Sequence, residues 1–357
     1  MKKQDIRNFS QEDLLRFLQG KNQKAFNATQ IFSWIYKKGA EDFDSMSDLS
    51  LELRQILKKN FYFSKLIVEA IKESRDGTKK ILFKLEDSSL IETVLIPSKE
   101  RNTICLSSQV GCRFSCKFCA SGIKGFKRNL STAEIVSQVL FVKKYFFNVQ
   151  LTHIVFMGTG EPLDNYENVL RAVRIFNSTY ALNIGARRIT ISTSGVISGI
   201  KKLAKENLQV EISVSLHASD NKIRNNIMPI NKKYPLQDLI RACRQYFLLT
   251  KRQITFEYIL IHNLNCTLDD AKRLSFLLKG FDFKLNLIPY NKIAEFNFEP
   301  PIKLEVLFFQ NQLSKMGIKS TLRLPRGTDI NAACGQLRFY AETKNNTNLR
   351  ELHTNFR

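Results

Sequence analysis

Cys112, Cys116 and Cys119 stand in the run Gly111-Cys-Arg-Phe-Ser-Cys-Lys-Phe-Cys-Ala120, a C-x3-C-x2-C spacing. Thiolates so close in sequence can wrap one compact inorganic centre. An iron–sulfur cube is normally gripped by four cysteines, and no fourth lies nearby at ferredoxin-like spacing. One iron is then left without a protein thiolate and open to a small ligand. A zinc site completed by a distant His or Cys is the alternative, though zinc more often uses paired C-x2-4-C units. Packing alone explains three thiols in one glycine-bounded loop poorly.

The other four cysteines are Cys105, Cys243, Cys266 and Cys334. An odd total of seven in a chain this long favours metal binding or catalysis over a disulfide framework. Taken singly, Cys105 and Cys334 read as buried structural thiols, as do Cys243 and Cys266. Glu92 by itself reads as a solvated strand charge, and His217 as a hydrogen-bonded core residue.

The elements that must position these groups fall into three stretches. Residues 1–60 read as a small helical module. Ser10-Gln-Glu-Asp13 resembles a capping box, apolar residues follow at helical spacing, and Gly20 and Gly39 punctuate. Residues 61–98 form a β extension, with a hairpin predicted from Lys79–Leu85 and Leu90–Ile96 around the turn Glu86-Asp-Ser-Ser89. Residues 99–343 alternate strand and helix patterns, beginning with a strand near Thr103 and a helix from Thr132. Their strands are rich in Ile, Val and Thr, as parallel strands covered on both faces should be. Six such βα units predict an α/β fold, a partial, open (β/α)6 barrel with its site at the C-terminal strand ends. The cysteine loop, Gly160-Glu161, Ser192, His217 and Asn291 all fall at those ends. The tail, 344–357, is polar and is expected to fray.

Composition bounds the partners. The chain has 357 residues, 43% hydrophobic and 25% charged, with a formal net charge of +22. That excess favours a polyanionic partner such as nucleic acid. No apolar run approaches the roughly 20 residues of a membrane span, and the N-terminus lacks an apolar signal core. A cytoplasmic monomer is expected.

The cysteine spacing after the first strand of a partial barrel resembles the radical S-adenosylmethionine superfamily, and Phe118 between the last two cysteines fits that pattern. Further motifs narrow the likeness. They are Cys105-Leu-Ser-Ser-Gln-Val-Gly-Cys112, Gly125-Phe-Lys-Arg-Asn-Leu130, Met157-Gly-Thr-Gly-Glu-Pro-Leu163, Ser192-Thr-Ser-Gly195, Ser215-Leu-His217, Met228-Pro-Ile-Asn-Lys-Lys-Tyr234, Asn286-Leu-Ile-Pro-Tyr-Asn291 and Asp329-Ile-Asn-Ala-Ala-Cys-Gly-Gln-Leu337. Together they resemble the bacterial dual-specificity RNA methyltransferases of the RlmN type over nearly the whole chain, most weakly in residues 1–60 and the tail. Thr159 departs from the family's usual Met.

The resemblance implies one [4Fe–4S] cluster on Cys112, Cys116 and Cys119, and S-adenosylmethionine at Gly160, Glu161, Ser192, Ser215, Leu216, His217 and Asn291. It implies methylation of adenine C2 in 23S rRNA and in tRNA beside the anticodon, with two S-adenosylmethionine consumed per methyl. Cys334 would carry the methyl, Cys105 would release the product through a transient disulfide, and Glu92 would take the C2 proton. An electron donor such as flavodoxin or ferredoxin is implied too. The nearest rival is the related C8 adenine methyltransferase, although Glu161-Pro162 and Pro289-Tyr290 look like the C2 type. A rival of another class is a non-catalytic RNA-binding module with a zinc knuckle.

Overall fold

A computed structural model describes residues 3–337. The expected tail and the last residues of the expected barrel region lie outside the described residues.

The N-terminal segment folds as the helical pattern predicts. Helices α1 (Gln11–Gln19), α2 (Phe26–Tyr36) and α3 (Leu51–Asn60) pack through Leu14, Leu18, Ile31, Phe32, Ile35, Leu53 and Leu57. Ser10 and Asp13 form the full capping box at the start of α1. A short parallel pair, β1 (Gln4–Asp5) with β2 (Phe61–Tyr62), joins the two ends of the module.

The β extension is larger than the expected hairpin. Strands β4 (Lys79–Lys84) and β5 (Leu90–Ile96) pair antiparallel, and β3 (Ile67–Glu73) adds a third strand on the far side of β4. Its sequence, Ile-Val-Glu-Ala-Ile-Lys-Glu, mixes charges into both faces, and none of its residues is buried. That is how an edge strand is protected, and it hides the strand from a search for apolar runs.

The remaining chain alternates strand and helix: β6 (Thr103–Cys105), α4 (Thr132–Tyr145), β9 (His153–Phe156), α5 (Tyr166–Asn177), β10 (Ile189–Thr193), α6 (Ile197–Leu203), β11 (Glu211–Ser215), α7 (Asn221–Ile227), α8 (Leu236–Thr250), β12 (Ile254–Leu260), α9 (Leu268–Leu278), β13 (Phe283–Pro289), α10 (Lys303–Lys315) and β14 (Ser320–Leu322). A separate hairpin, β7 (Gln109–Gly111) with β8 (Phe126–Asn129), brackets the cysteine loop. Neither this hairpin nor α7 follows from the hydrophobic pattern. Strands β6 and β9 to β14 pair parallel in chain order, and β5 joins them to the extension, giving one ten-stranded sheet.

Register sets the character of each face. Side chains alternate along a strand, so laterally paired residues share a face. Ile104, Ile154, Ile189, Ile191, Ile212, Val214, Phe256, Leu285 and Leu287 are buried on one face. The other face carries a polar row. Cys105 pairs with Val155, Val155 with Thr190, Ser192 with Ser213, Ser215 with Glu257, Glu257 with Asn286, and Asn286 with Thr321. Apolar character on both faces, expected from the strand composition, therefore holds for one face only. The other lines the site.

Candidate active site

The cysteine loop is shaped by close backbone packing. Gly111 has φ +77°, and a Cβ there would sit 1.8 Å from the Gly125 carbonyl oxygen, so only glycine fits. Cys112 N–H donates to that same carbonyl at 3.2 Å, and Cys119 N–H to Cys116 O at 3.1 Å. Lys117 N–H donates to Ile227 O at 2.9 Å, which fastens the loop to the end of α7. Burial pushes the thiols of Cys112 and Cys116 up, Cys112 to about 12, and a neighbouring thiolate adds to both. Burial raises Cys119 as well.

Three adjacent thiols in low dielectric stay protonated until a metal centre draws off their protons, so the donor set suits a thiolate-bound cluster. Among the described residues no three Cys, His, Asp or Glu side chains converge on a point fit for a single metal ion. The thiolates of a cube bind separate irons and need not converge so closely.

The residues expected around S-adenosylmethionine lie at the strand ends beside this loop. Gly160 has φ +105°, and a Cβ there would meet the Gln109 Cβ at 2.5 Å. Glu161 is buried. Its carboxylate accepts from Leu163 N at 3.0 Å and from Ser194 N and Oγ, each at 2.7 Å. The Thr193 hydroxyl adds to these donors, so the carboxylate is held from several sides. Burial raises its pKa, against the pull of those bonds.

Ser192 and Ser215 belong to the polar row, while Leu216 is wholly buried. Strand β11 ends at Ser215. Leu216 and His217 turn their N–H groups onto Glu257 O, and His217 takes φ +59°. Its Nδ1 accepts from Ile259 N at 3.0 Å, and its ring meets Phe118 edge-on at 4.8 Å. Burial lowers its pKa to about 3, so the ring is neutral. Asn291 Nδ2 donates to Cys334 O at 3.2 Å.

Register places Cys105, Glu92 and Lys80 on one face. Cys105 stands opposite Val94, Glu92 lies two residues along from Val94, and Lys80 pairs with Val94 from β4. Read alone, Glu92 was expected to be solvated; it is buried instead, 3.1 Å from Lys80 Nζ. The segment carrying Cys334 covers this face, with Ala332 and Leu337 packed against Cys105, Val94 and Val155. Lys80 Nζ also reaches Asn331 O at 3.2 Å, while Gly335 O accepts from Ala120 N at 2.7 Å. One end of the segment is thus tied to the β extension and the other to the cysteine loop.

Cys334 is exposed to solvent. Protein groups crowded around its thiol raise its pKa, and Arg323 pulls it back. Burial takes Cys105 to about 12, with Cys334 nearby adding to the rise. Cys243 and Cys266 are buried, the latter donating to Ile261 O.

Glu257, Arg323 and Arg224 lie outside the quoted motifs, and Gln109 lies inside one with no role assigned to it. Gln109 accepts from Glu161 N through Oε1 at 2.8 Å. Glu257 accepts from Ser213 Oγ at 2.7 Å and Asn286 Nδ2 at 3.0 Å, and lies 3.6 Å from Arg323. Arg224 is fully buried. A charge inside an apolar strand, as in Ile-Thr-Phe-Glu-Tyr-Ile-Leu260, is the one sequence signal that marks Glu257.

A three-cysteine loop after the first strand of a sequentially ordered parallel sheet is the arrangement expected of a radical S-adenosylmethionine enzyme. The Radical SAM superfamily model matches residues 106–270, and the ribosomal RNA large subunit methyltransferase N-terminal domain model matches residues 4–63. A probable dual-specificity RNA methyltransferase RlmN from Clostridium novyi is 44% identical, over 94% of this chain and 97% of its own length. The one from Staphylococcus aureus is also 44% identical, over 94% and 93%. The crystal structure of a radical SAM methyltransferase from Sphaerobacter thermophilus superposes with a TM-score of 0.88 at 40% identity, covering 94% of this chain and 99% of that one. The chain belongs to the RlmN family of radical SAM RNA methyltransferases.

Proposed function

We propose that the protein methylates C2 of adenine in 23S rRNA and in tRNA beside the anticodon, through a methylated Cys334. The observation that carries this reading is the convergence of Cys105, Glu92 and the Cys334 segment on one sheet face, beside the cysteine loop. C2 of adenine is electron-poor and has no lone pair, so it does not displace a methyl from a sulfonium. A thiolate does.

Cys112, Cys116 and Cys119 would hold one [4Fe–4S] cluster, with Glu161, Gly160, Ser192, Ser215, Leu216, His217 and Asn291 around S-adenosylmethionine. Glu161 is suited to the ammonium group, and Ser192 and Asn291 to carboxylate or ribose. When bound and reduced, the cluster supplies the electron that splits S-adenosylmethionine and yields a hydrogen-abstracting radical.

Cys334 first takes a methyl group, and its S-methyl then gives up one hydrogen atom. The resulting carbon radical joins C2 and tethers the RNA to Cys334. Glu92, held beside Lys80, receives the C2 proton, and the unpaired electron of the adduct passes to a one-electron acceptor, which leaves a closed-shell thioether. Cys105 attacks the sulfur of Cys334, a disulfide forms, and the electron pair of the broken C–S bond passes to carbon, which takes up a proton. Two molecules of S-adenosylmethionine are consumed per methyl.

RNA docking is assigned to the 1–60 module. Lys37, Lys38, Lys65, Lys143 and Lys144 line a cleft between it, β3 and α4, and such a basic cleft suits a phosphate backbone. A one-electron donor of the flavodoxin or ferredoxin class is required. Among the described residues no helix is long and apolar enough to cross a membrane.

The decisive experiment is Cys105→Ala in anaerobically reconstituted protein with RNA and S-adenosylmethionine. A covalent protein–RNA adduct through Cys334 is expected, and normal turnover overturns the release step. Cys334→Ala should abolish both cysteine and RNA methylation.

A further inference from the structure

Arg224 is a fully buried cation among the groups that shape the site. Its Nε donates to Leu216 O at 3.1 Å, Nη1 to Asn231 Oδ1 at 2.9 Å, and Nη2 to Ser194 O at 2.8 Å and Ser215 O at 3.0 Å. Every one of these acceptors is neutral. The contrast is Arg7, which is also buried but has Asp5 at 2.7 Å. Among the described residues Arg224 makes no ion pair with a carboxylate. A buried charge without a counter-charge is expensive, and folds rarely keep one idle.

The position says where the missing negative charge belongs. Arg224 sits on α7, whose Ile227 carbonyl holds Lys117 N–H, inside the cysteine loop between Cys116 and Phe118. The segment it grips through Leu216 continues into His217, whose ring packs on Phe118. Its guanidinium therefore lies directly behind the cysteine loop, between the ends of β10 and β11. Burial lowers its pKa to about 10, and Cys116 is the first group that offsets this. Glu161 grips Ser194 from the other side, through N–H and hydroxyl, and on the proposed reading meets the ammonium of S-adenosylmethionine.

We infer that Arg224 is the internal counter-cation of the iron–sulfur cluster, favouring its one-electron reduced form while clamping the two S-adenosylmethionine segments to the cysteine loop. This rests on the cluster assigned above. A cube with a 2+ core and three thiolates carries one net negative charge. One electron from the external donor makes it two, and nothing else is consumed. A nearby buried cation stabilises the more negative state more strongly, so it raises the reduction potential.

The test is a potentiometric titration, followed by electron paramagnetic resonance, of reconstituted full-length protein without S-adenosylmethionine. Arg224→Gln removes the charge and keeps hydrogen-bonding capacity. It should retain about four irons per chain, while the reduced-to-oxidised ratio at a fixed potential falls about tenfold, or ~59 mV for one electron. Arg224→Lys keeps the charge and should recover most of the loss. Asn231→Asp leaves Arg224 in place, sets a carboxylate against Nη1, and should lower the potential likewise. It decides the matter if Arg224→Gln does not fold. An unchanged potential in Arg224→Gln or Asn231→Asp overturns the inference, as does a fall in Arg224→Lys equal to that in Arg224→Gln, which would mark a purely structural clamp. Wild-type protein that never takes up iron would instead sink the cluster reading beneath it.

Discussion

Glu92 and Cys105 project from the same face of adjacent strands, because Cys105 pairs with Val94 and Glu92 lies two residues along from Val94. The proposed base and the proposed resolving thiol therefore share one wall, roofed by the segment that carries Cys334. Neither needs a long side-chain excursion to reach a substrate seated between wall and roof.

Glu92→Gln keeps the shape of this wall and removes the proton acceptor. Methyl transfer to RNA should fall about a hundredfold or more, the usual scale for losing a general base. Methylation of Cys334 itself should continue, as mass spectrometry of the intact protein would show. Equal loss of both steps would mean that Glu92 serves S-adenosylmethionine binding or folding instead.

His217 gives the protein an acid-labile element. Its folded-state pKa is depressed by burial to about 3 from an ordinary 6.5. Between those values the unfolded chain binds a proton that the folded chain refuses. Stability is therefore lost as pH drops through that window. His217→Asn suits the positive φ and should flatten the fall in urea-unfolding free energy between pH 6.5 and pH 3. An unaltered pH dependence would mean that other groups carry it.

Gly160→Ala should be destabilising. The new Cβ would meet Gln109 Cβ at 2.5 Å and its backbone nitrogen at 2.8 Å, at a φ of +105°. Strain of this kind costs about 3 kcal/mol, which equilibrium denaturation would register. Weaker S-adenosylmethionine binding should accompany it, because the neighbouring Glu161 shifts with the loop.

Glu161→Ala should weaken S-adenosylmethionine binding at least tenfold, or about 1.4 kcal/mol, in equilibrium dialysis, with iron content unchanged. Glu161→Gln separates charge from hydrogen bonding. It can keep an acceptor for Ser194 but offers no anion to the ligand ammonium. Wild-type affinity in Glu161→Gln would assign the residue to the fold alone.

Much of the architecture was legible in the sequence, because local signals carried it. The capping box at Ser10, the helix from Thr132 and the alternation of strands and helices from Thr103 onward follow from spacing and residue type. The C-x3-C-x2-C run set the class of chemistry, since three nearby thiols have few other uses. β3 and the β7–β8 hairpin stayed hidden. The first is a charged edge strand, and the second is held by a contact between Gly111 and Gly125 that local pattern does not report.

The tertiary structure alone decided which residues meet. Cys105 and Cys334 are 229 positions apart in the chain, and Glu92 on its own looked solvated. Strand register puts Glu92 and Cys105 on one face, and bonds from the Ala120 N–H and the Lys80 ammonium to Gly335 O and Asn331 O lay the Cys334 segment across it. The uncompensated burial of Arg224 is likewise invisible in one dimension. The physical reason is common to these cases: periodicity reports which face of an element a residue occupies, while its neighbours across the sheet depend on pairings between distant segments.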